Sequence, residues 1–149
     1  MEDIVHTYFE DLAVGQSASL GKTISEADIL MFAGVSGDTN PAHMDEEYAA
    51  GTMFKGRIAH GMLSGAVISA LFGTRFPGPG CIYVSQTLRF KAPVRIGDTL
   101  RARAEVRELI PEKKMAVFVT TATVGAKTVV DGEATLMVPA RPGPETQSA

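Results

Sequence analysis

A single cysteine, Cys81, stands in a chain of 149 residues, so no internal disulfide can form. Positive charge is not in excess either. Fourteen Lys and Arg against 17 Asp and Glu leave a formal net charge of −3, which provides no whole-chain positive field and argues against a general DNA or RNA binder. Long hydrophobic runs are missing as well. The longest uncharged, mainly apolar stretch runs from Ala59 to Thr74, contains His60, and falls short of the roughly 20 residues that span a bilayer. It reads as a buried helix, and no membrane partner is expected. The opening Met1-Glu2-Asp3-Ile4-Val5-His6 lacks the basic flank and apolar run of a secretion signal, so the expected setting is a reducing cytoplasm. What is present is a 45% apolar composition, enough for one compact domain.

Along the chain, His6 to Leu12 and Ala18 to Ile24 read as short extended segments separated by Val14-Gly15-Gln16. Ser25 with Asp28 three residues later forms a helix-start pattern, and Ile29, Phe32 and Ala33 predict a helix from about Glu26 to Val35, stopped by Gly37. Pro41 restricts Asn40 to extended geometry and can begin a second short helix that carries His43 to Ala50. From Gly61 to Gly73 apolar residues cover every side of a helix, which must therefore be enclosed. Cys81 to Lys91 alternates, with Ile82, Val84, Leu88 and Phe90 predicted on one buried face. Three further strands, Thr99 to Leu109, Met115 to Gly125 and Lys127 to Val138, form an antiparallel meander. Residues 1–140 are thus expected to form one α+β domain, a curled antiparallel sheet around a helix, with 141–149 as a loose tail.

The run Gly37-Asp38-Thr39-Asn40-Pro41-Ala42-His43, followed by Ile58-Ala59-His60-Gly61-Met62-Leu63, resembles the MaoC-like, (R)-specific enoyl-CoA hydratases. The likeness extends from about Phe9 to Val138, through Phe90-Lys91-Ala92-Pro93-Val94 and Gly97-Asp98-Thr99-Leu100. It implies a hot-dog fold with the Gly61 helix at its centre, a homodimer that joins two sheets edge to edge, and syn hydration of a trans-2-enoyl-CoA to the (3R)-3-hydroxyacyl-CoA. It further implies that Asp38 and His43 hold and act on one water. Asn40 matches the motif's asparagine and is assigned to holding the loop and the water. Ser69, eight residues after Gly61, matches a serine of the family's helix.

The chemistry accounts for these residue types. Hydration of a conjugated thioester needs a base toward water, an acid toward C2, and a donor for the charge that builds on the thioester oxygen. Asp38 and His43 provide the first two functions, and no serine or cysteine nucleophile is required. Their spacing of five is poor for one helical face, but the loop through Asn40-Pro41 can fold the carboxylate back toward His43. Gly61, in the first turn of its helix, offers a backbone N–H without a helical partner, aided by the helix dipole. Coenzyme A enters as part of the acyl-CoA substrate, so no separate cofactor is expected. No metal is expected either, since the carboxylates beside His43 read as solvated helix-start charges and no second histidine falls at a ligand spacing. His60 reads as a residue that caps or orients the helix entry, and Cys81 as a small apolar filler. Arg89, Lys91, Arg95, Arg101, Arg103 and Arg107 outnumber Asp98 and Glu105, a surplus that suits either CoA phosphates or a solvated strand face. Two other readings of the same pattern are a hot-dog thioesterase or dehydratase on a different acyl thioester, and a non-catalytic acyl-CoA-binding domain.

Overall fold

A computed structural model describes residues 3–144. Strand β1 spans Ser17–Thr23 and is followed by helices α1 (Glu26–Ser36), α2 (Pro41–Met44), α3 (Glu46–Ala50) and α4 (Gly61–Thr74). The remaining strands are β2 (Ile82–Gln86), β3 (Arg89–Phe90), β4 (Thr99–Ile110), β5 (Met115–Val124) and β6 (Lys127–Met137). They form one antiparallel sheet in the order β1-β4-β5-β6-β2, with β3 also paired to β6. Alternate residues of β4, Leu100, Ala102, Ala104 and Val106, are fully buried with Phe118 of β5 and with Ile68, Leu71 and Phe72 of α4. A central helix packed on one face of an antiparallel sheet is the α+β hot-dog arrangement. Among the described residues no helix is long and apolar enough to cross a membrane.

The first helix follows its sequence signals. Ser25 Oγ accepts from the Asp28 N–H, the Asp28 carboxylate accepts from the Ser25 N–H, and Gly37 closes α1 at φ 77°. Other segments depart from expectation. His6 to Leu12 is not a strand: Asp11 accepts the Tyr8 N–H and turns Phe9–Asp11 into a short 3-10 helix. The helix expected through His43 to Ala50 breaks at Asp45, which is extended and whose carboxylate caps α3 through the Tyr48 N–H. The start of the expected tail is held rather than loose, because the Arg141 N–H donates to Glu10 at 2.8 Å and its guanidinium bonds Asp11. Residues 145–149 lie outside the described residues.

The largest correction concerns Cys81 to Lys91. It divides into β2 and β3, and the pairing of β2 with β6 shifts register between Tyr83 and Ser85, so Val84 bulges and the alternation fails. Thr87 presses its carbonyl onto Gly132, where any Cβ would sit 1.8 Å from that oxygen. Ile82, Val84 and Phe90 are consequently 58%, 49% and 54% exposed instead of buried, while Leu88 alone packs on the core. The central helix is not enclosed all round either: Met62, Ala66 and Ala70 face outward. This uncovered side of α4 and the bulged strand β2 line one groove.

Candidate active site

The loop between α1 and α2 shapes the site by local hydrogen bonds. Asp38 accepts the Asn40 N–H at 3.1 Å, and Asn40 in turn caps α2 by accepting the Ala42 N–H at 3.0 Å, with Pro41 as the first helical residue. Asn40 thus fixes the turn between the Asp38 loop and α2. The capped turn brings His43 inward, where it is only 9% exposed, and leaves Asp38 exposed at the mouth.

His43 Nδ1 lies 2.8 Å from the Ile58 carbonyl, which can only accept, so Nδ1 carries the hydrogen and Nε2 is left bare in the neutral ring. Arg57 braces the same helix: Nε donates to the His43 carbonyl at 2.6 Å, its guanidinium pairs with Glu26 of α1 at 2.8 Å, and its own N–H donates to Glu46 of α3. Neither Arg57 nor this bracing role is readable from the local sequence, since all three partners come from separate helices.

Helix α4 begins beside these groups. No side chain caps its first turn, so the N–H groups there, including that of Gly61, keep the partial positive charge of a helix start. Gly61 also lets Phe90 lie close against the helix start: a Cβ would stand 2.7 Å from Phe90 Cδ1 and 2.8 Å from Cε1. Asp38, His43, His60, Gly61 and Ser64 open together into a cavity of about 470 Å³, walled otherwise by apolar groups such as Phe90 and Val94. Ser64, one turn into α4 and buried, was not singled out by sequence. Ser69 is not in this cavity. It lines the adjoining groove, about 440 Å³, with Tyr83, Gln86 and Leu88, and Met62 borders both spaces. Burial pushes the Tyr83 hydroxyl up to about 12, so it stays protonated and donates to Gln86 Oε1. Lys91 is the basic residue of the first cavity and pairs with Asp131 at 3.0 Å.

The second histidine that spacing did not reveal is His60, brought by the fold to a place where Asp38, His43 and His60 each offer a ligand-type atom within 4.8 Å of the others. The two ring centroids are 4.0 Å apart with planes inclined by 32°. The arrangement suits proton transfer: an exposed carboxylate, a ring nitrogen free to take a proton, and uncapped backbone N–H groups face one space.

Comparison with known proteins adds an independent line. A domain family described as MaoC-like matches residues 12–130. Over 140 residues the chain is 64% identical to an (R)-specific enoyl-CoA hydratase of Rhodospirillum rubrum, with 94% of this chain and 97% of the relative covered. It is 53% identical over 132 residues to a 3-hydroxybutyryl-CoA dehydratase of Methylorubrum extorquens, covering 89% and 84% of the two chains. The unliganded R-hydratase structure from Pseudomonas aeruginosa is similar with a TM-score of 0.86 at 48% identity, over 97% of this chain and 96% of that one.

Proposed function

The chain belongs to the MaoC-like family, and from that premise we propose that it is an (R)-specific enoyl-CoA hydratase, adding water reversibly to a trans-2-enoyl-CoA to give the (3R)-3-hydroxyacyl-CoA. The observation that carries this reading is the shared cavity of Asp38, His43 and the uncapped start of α4. One water sits between Asp38 and His43. A proton leaves it for the pair as its oxygen bonds C3, the C2–C3 double bond opens toward the thioester, and the pair returns a proton to C2 on the same face. The bare Nε2 of His43 supports its part in accepting that proton. The Gly61 N–H receives the charge that develops on the thioester oxygen. Asn40 keeps the Asp38 loop and the water in register. Ser69 stands apart from the reacting atoms, in the adjoining groove.

Hydroxyl and proton both come from one water, so the reaction draws on neither cofactor nor metal, and coenzyme A is a part of the substrate. A reducing cytoplasmic setting goes with this reading, since the single cysteine, Cys81, has no partner within the chain.

The protein acts as a homodimer. Strand β2 is a sheet edge with Ile82, Tyr83 and Val84 exposed, and the outward side of α4 lies next to it, two apolar surfaces that a second copy covers together. The test of the reaction is loss of enoyl thioester absorbance from crotonyl-CoA with analysis of product configuration. A thioesterase would instead release free CoA thiol, and a binding domain would do neither.

A further inference from the structure

We propose that His60 is the positioning residue of this site, the side chain that holds the Asp38 loop, the His43 ring and the start of α4 in one register. This rests on the hydratase reading of the same cavity. His60 immediately precedes Gly61 and is 2% exposed, yet its side chain makes no capping bond to α4. Its hydrogen-bonding capacity goes elsewhere. Nε2 lies 2.8 Å from the backbone carbonyl of Asp38, 22 residues earlier, and because a carbonyl accepts, Nε2 donates. The ring packs on His43 with centroids 4.0 Å apart and on Phe32 of α1 at 4.8 Å.

The remaining nitrogen fixes the tautomer. Nδ1 is buried and has no partner. Were the hydrogen on Nδ1, a buried donor would be orphaned and the bare Nε2 would face an oxygen lone pair at 2.8 Å. With the hydrogen on Nε2, only an acceptor is left without a partner. The ring is therefore locked as an Nε2–H donor to the loop that carries the carboxylate, and its face limits the swing of the His43 ring. Asp38 is exposed, its side chain accepts from the Asn40 N–H and its own N–H donates to Ser36 Oγ at 3.1 Å, both within the same loop, so the His60 bond to its carbonyl is what ties that loop to the start of α4 and sets how far the carboxylate stands from His43 Nε2.

Two substitutions and one spectrum test this. His60→Phe keeps a flat ring against His43 and removes the donor; His60→Gln places an amide donor near Nε2 and removes the ring face. Misplacement of a reacting group by about 1 Å costs on the order of a hundredfold, so His60→Phe is expected to lower kcat by about 10- to 100-fold. KM, set by CoA and acyl contacts elsewhere, is expected to stay within about threefold. His60→Gln, which restores the donor to the Asp38 loop but not the ring face, should be faster than His60→Phe and slower than wild type; a Gln variant no faster than Phe would remove the donor's part in the register. In the wild-type protein, nitrogen–proton correlation spectra should place the ring proton of His60 on Nε2, a readout that needs no variant to fold and no activity. A proton on Nδ1, or a folded His60→Phe protein with wild-type kcat, overturns the proposal. A wild-type protein that does not hydrate crotonyl-CoA refutes the hydratase reading instead, and the ring-proton spectrum then still decides the register.

Discussion

Replacing Gly61 by Ala tests where the thioester oxygen sits. The added Cβ would lie 2.7 and 2.8 Å from two atoms of the Phe90 ring and 3.3 Å from a third, roughly 1 Å inside the usual 3.5–4.0 Å carbon separation. Since the ring's Cγ is among these atoms, bending its tip is not enough and the whole ring must swing. It can do so cheaply, because Phe90 is 54% exposed on a two-residue strand. Ala is also favoured over Gly in a helix by up to about 1 kcal/mol, less in a first turn. The expected change in Tm is therefore within about 4 °C. Activity is another matter, for the displaced ring and the new methyl both crowd the cavity at the N–H assigned to the oxyanion. Losing one such donor costs about 2.7–4 kcal/mol, a fall of roughly 100- to 1,000-fold in kcat. Thermal melts and crotonyl-CoA hydration rates on the same preparation separate the two effects. Folded Gly61→Ala protein that hydrates at the wild-type rate would refute the placement of the thioester at the start of α4.

Asp38→Asn and His43→Gln should each cut hydration by about 100- to 10,000-fold, and because both act on one water the double variant should be hardly slower than either, as single-turnover rates would reveal. Val84→Glu places a charge on the exposed bulge of β2 and should leave the proposed dimer monomeric in sedimentation velocity; unchanged dimer sedimentation would move the interface elsewhere. Asp28→Asn should destabilise the fold by about 1 kcal/mol near neutral pH, the typical worth of a helix cap. Lys22 and the Ser25 N–H hold the Asp28 carboxyl below its ordinary value of 3.8, so its stabilising contribution is present above that pH and fades as acid protonates it. Denaturant melts of variant and wild type should accordingly converge as the pH falls through that range.

Local signals were legible wherever one short segment decides the outcome. The Ser25 and Asp28 capping pair, the Gly37 stop, Pro41 at the start of α2 and the antiparallel meander of β4 to β6 each act between segments close in sequence, and the structure follows them. The family motif likewise brought Asp38, His43 and Gly61 to one cavity. What escaped depends on distant partners. The bulge at Val84 lies in the pairing of β2 with the distant β6, Arg57 finds its acceptors on three helices, and His60 reaches back 22 residues to Asp38. Periodicity alone also could not tell that one side of α4 would be left uncovered, because its apolar residues run round the whole helix. For Ser69, counting eight residues from Gly61 gave a helical position but not the cavity it faces, and Ser64 is the serine that lies with His43 and Gly61.

The most direct measurement of the account is hydration of crotonyl-CoA by the wild-type protein, followed by enoyl absorbance and by the configuration at C3 of the product. Rapid loss of the enoyl chromophore with formation of the (3R)-hydroxybutyryl-CoA, no release of free thiol, and near abolition in folded Asp38→Asn protein is the predicted result. Formation of the (3S) product, release of CoA thiol, or an undiminished rate in Asp38→Asn would contradict it.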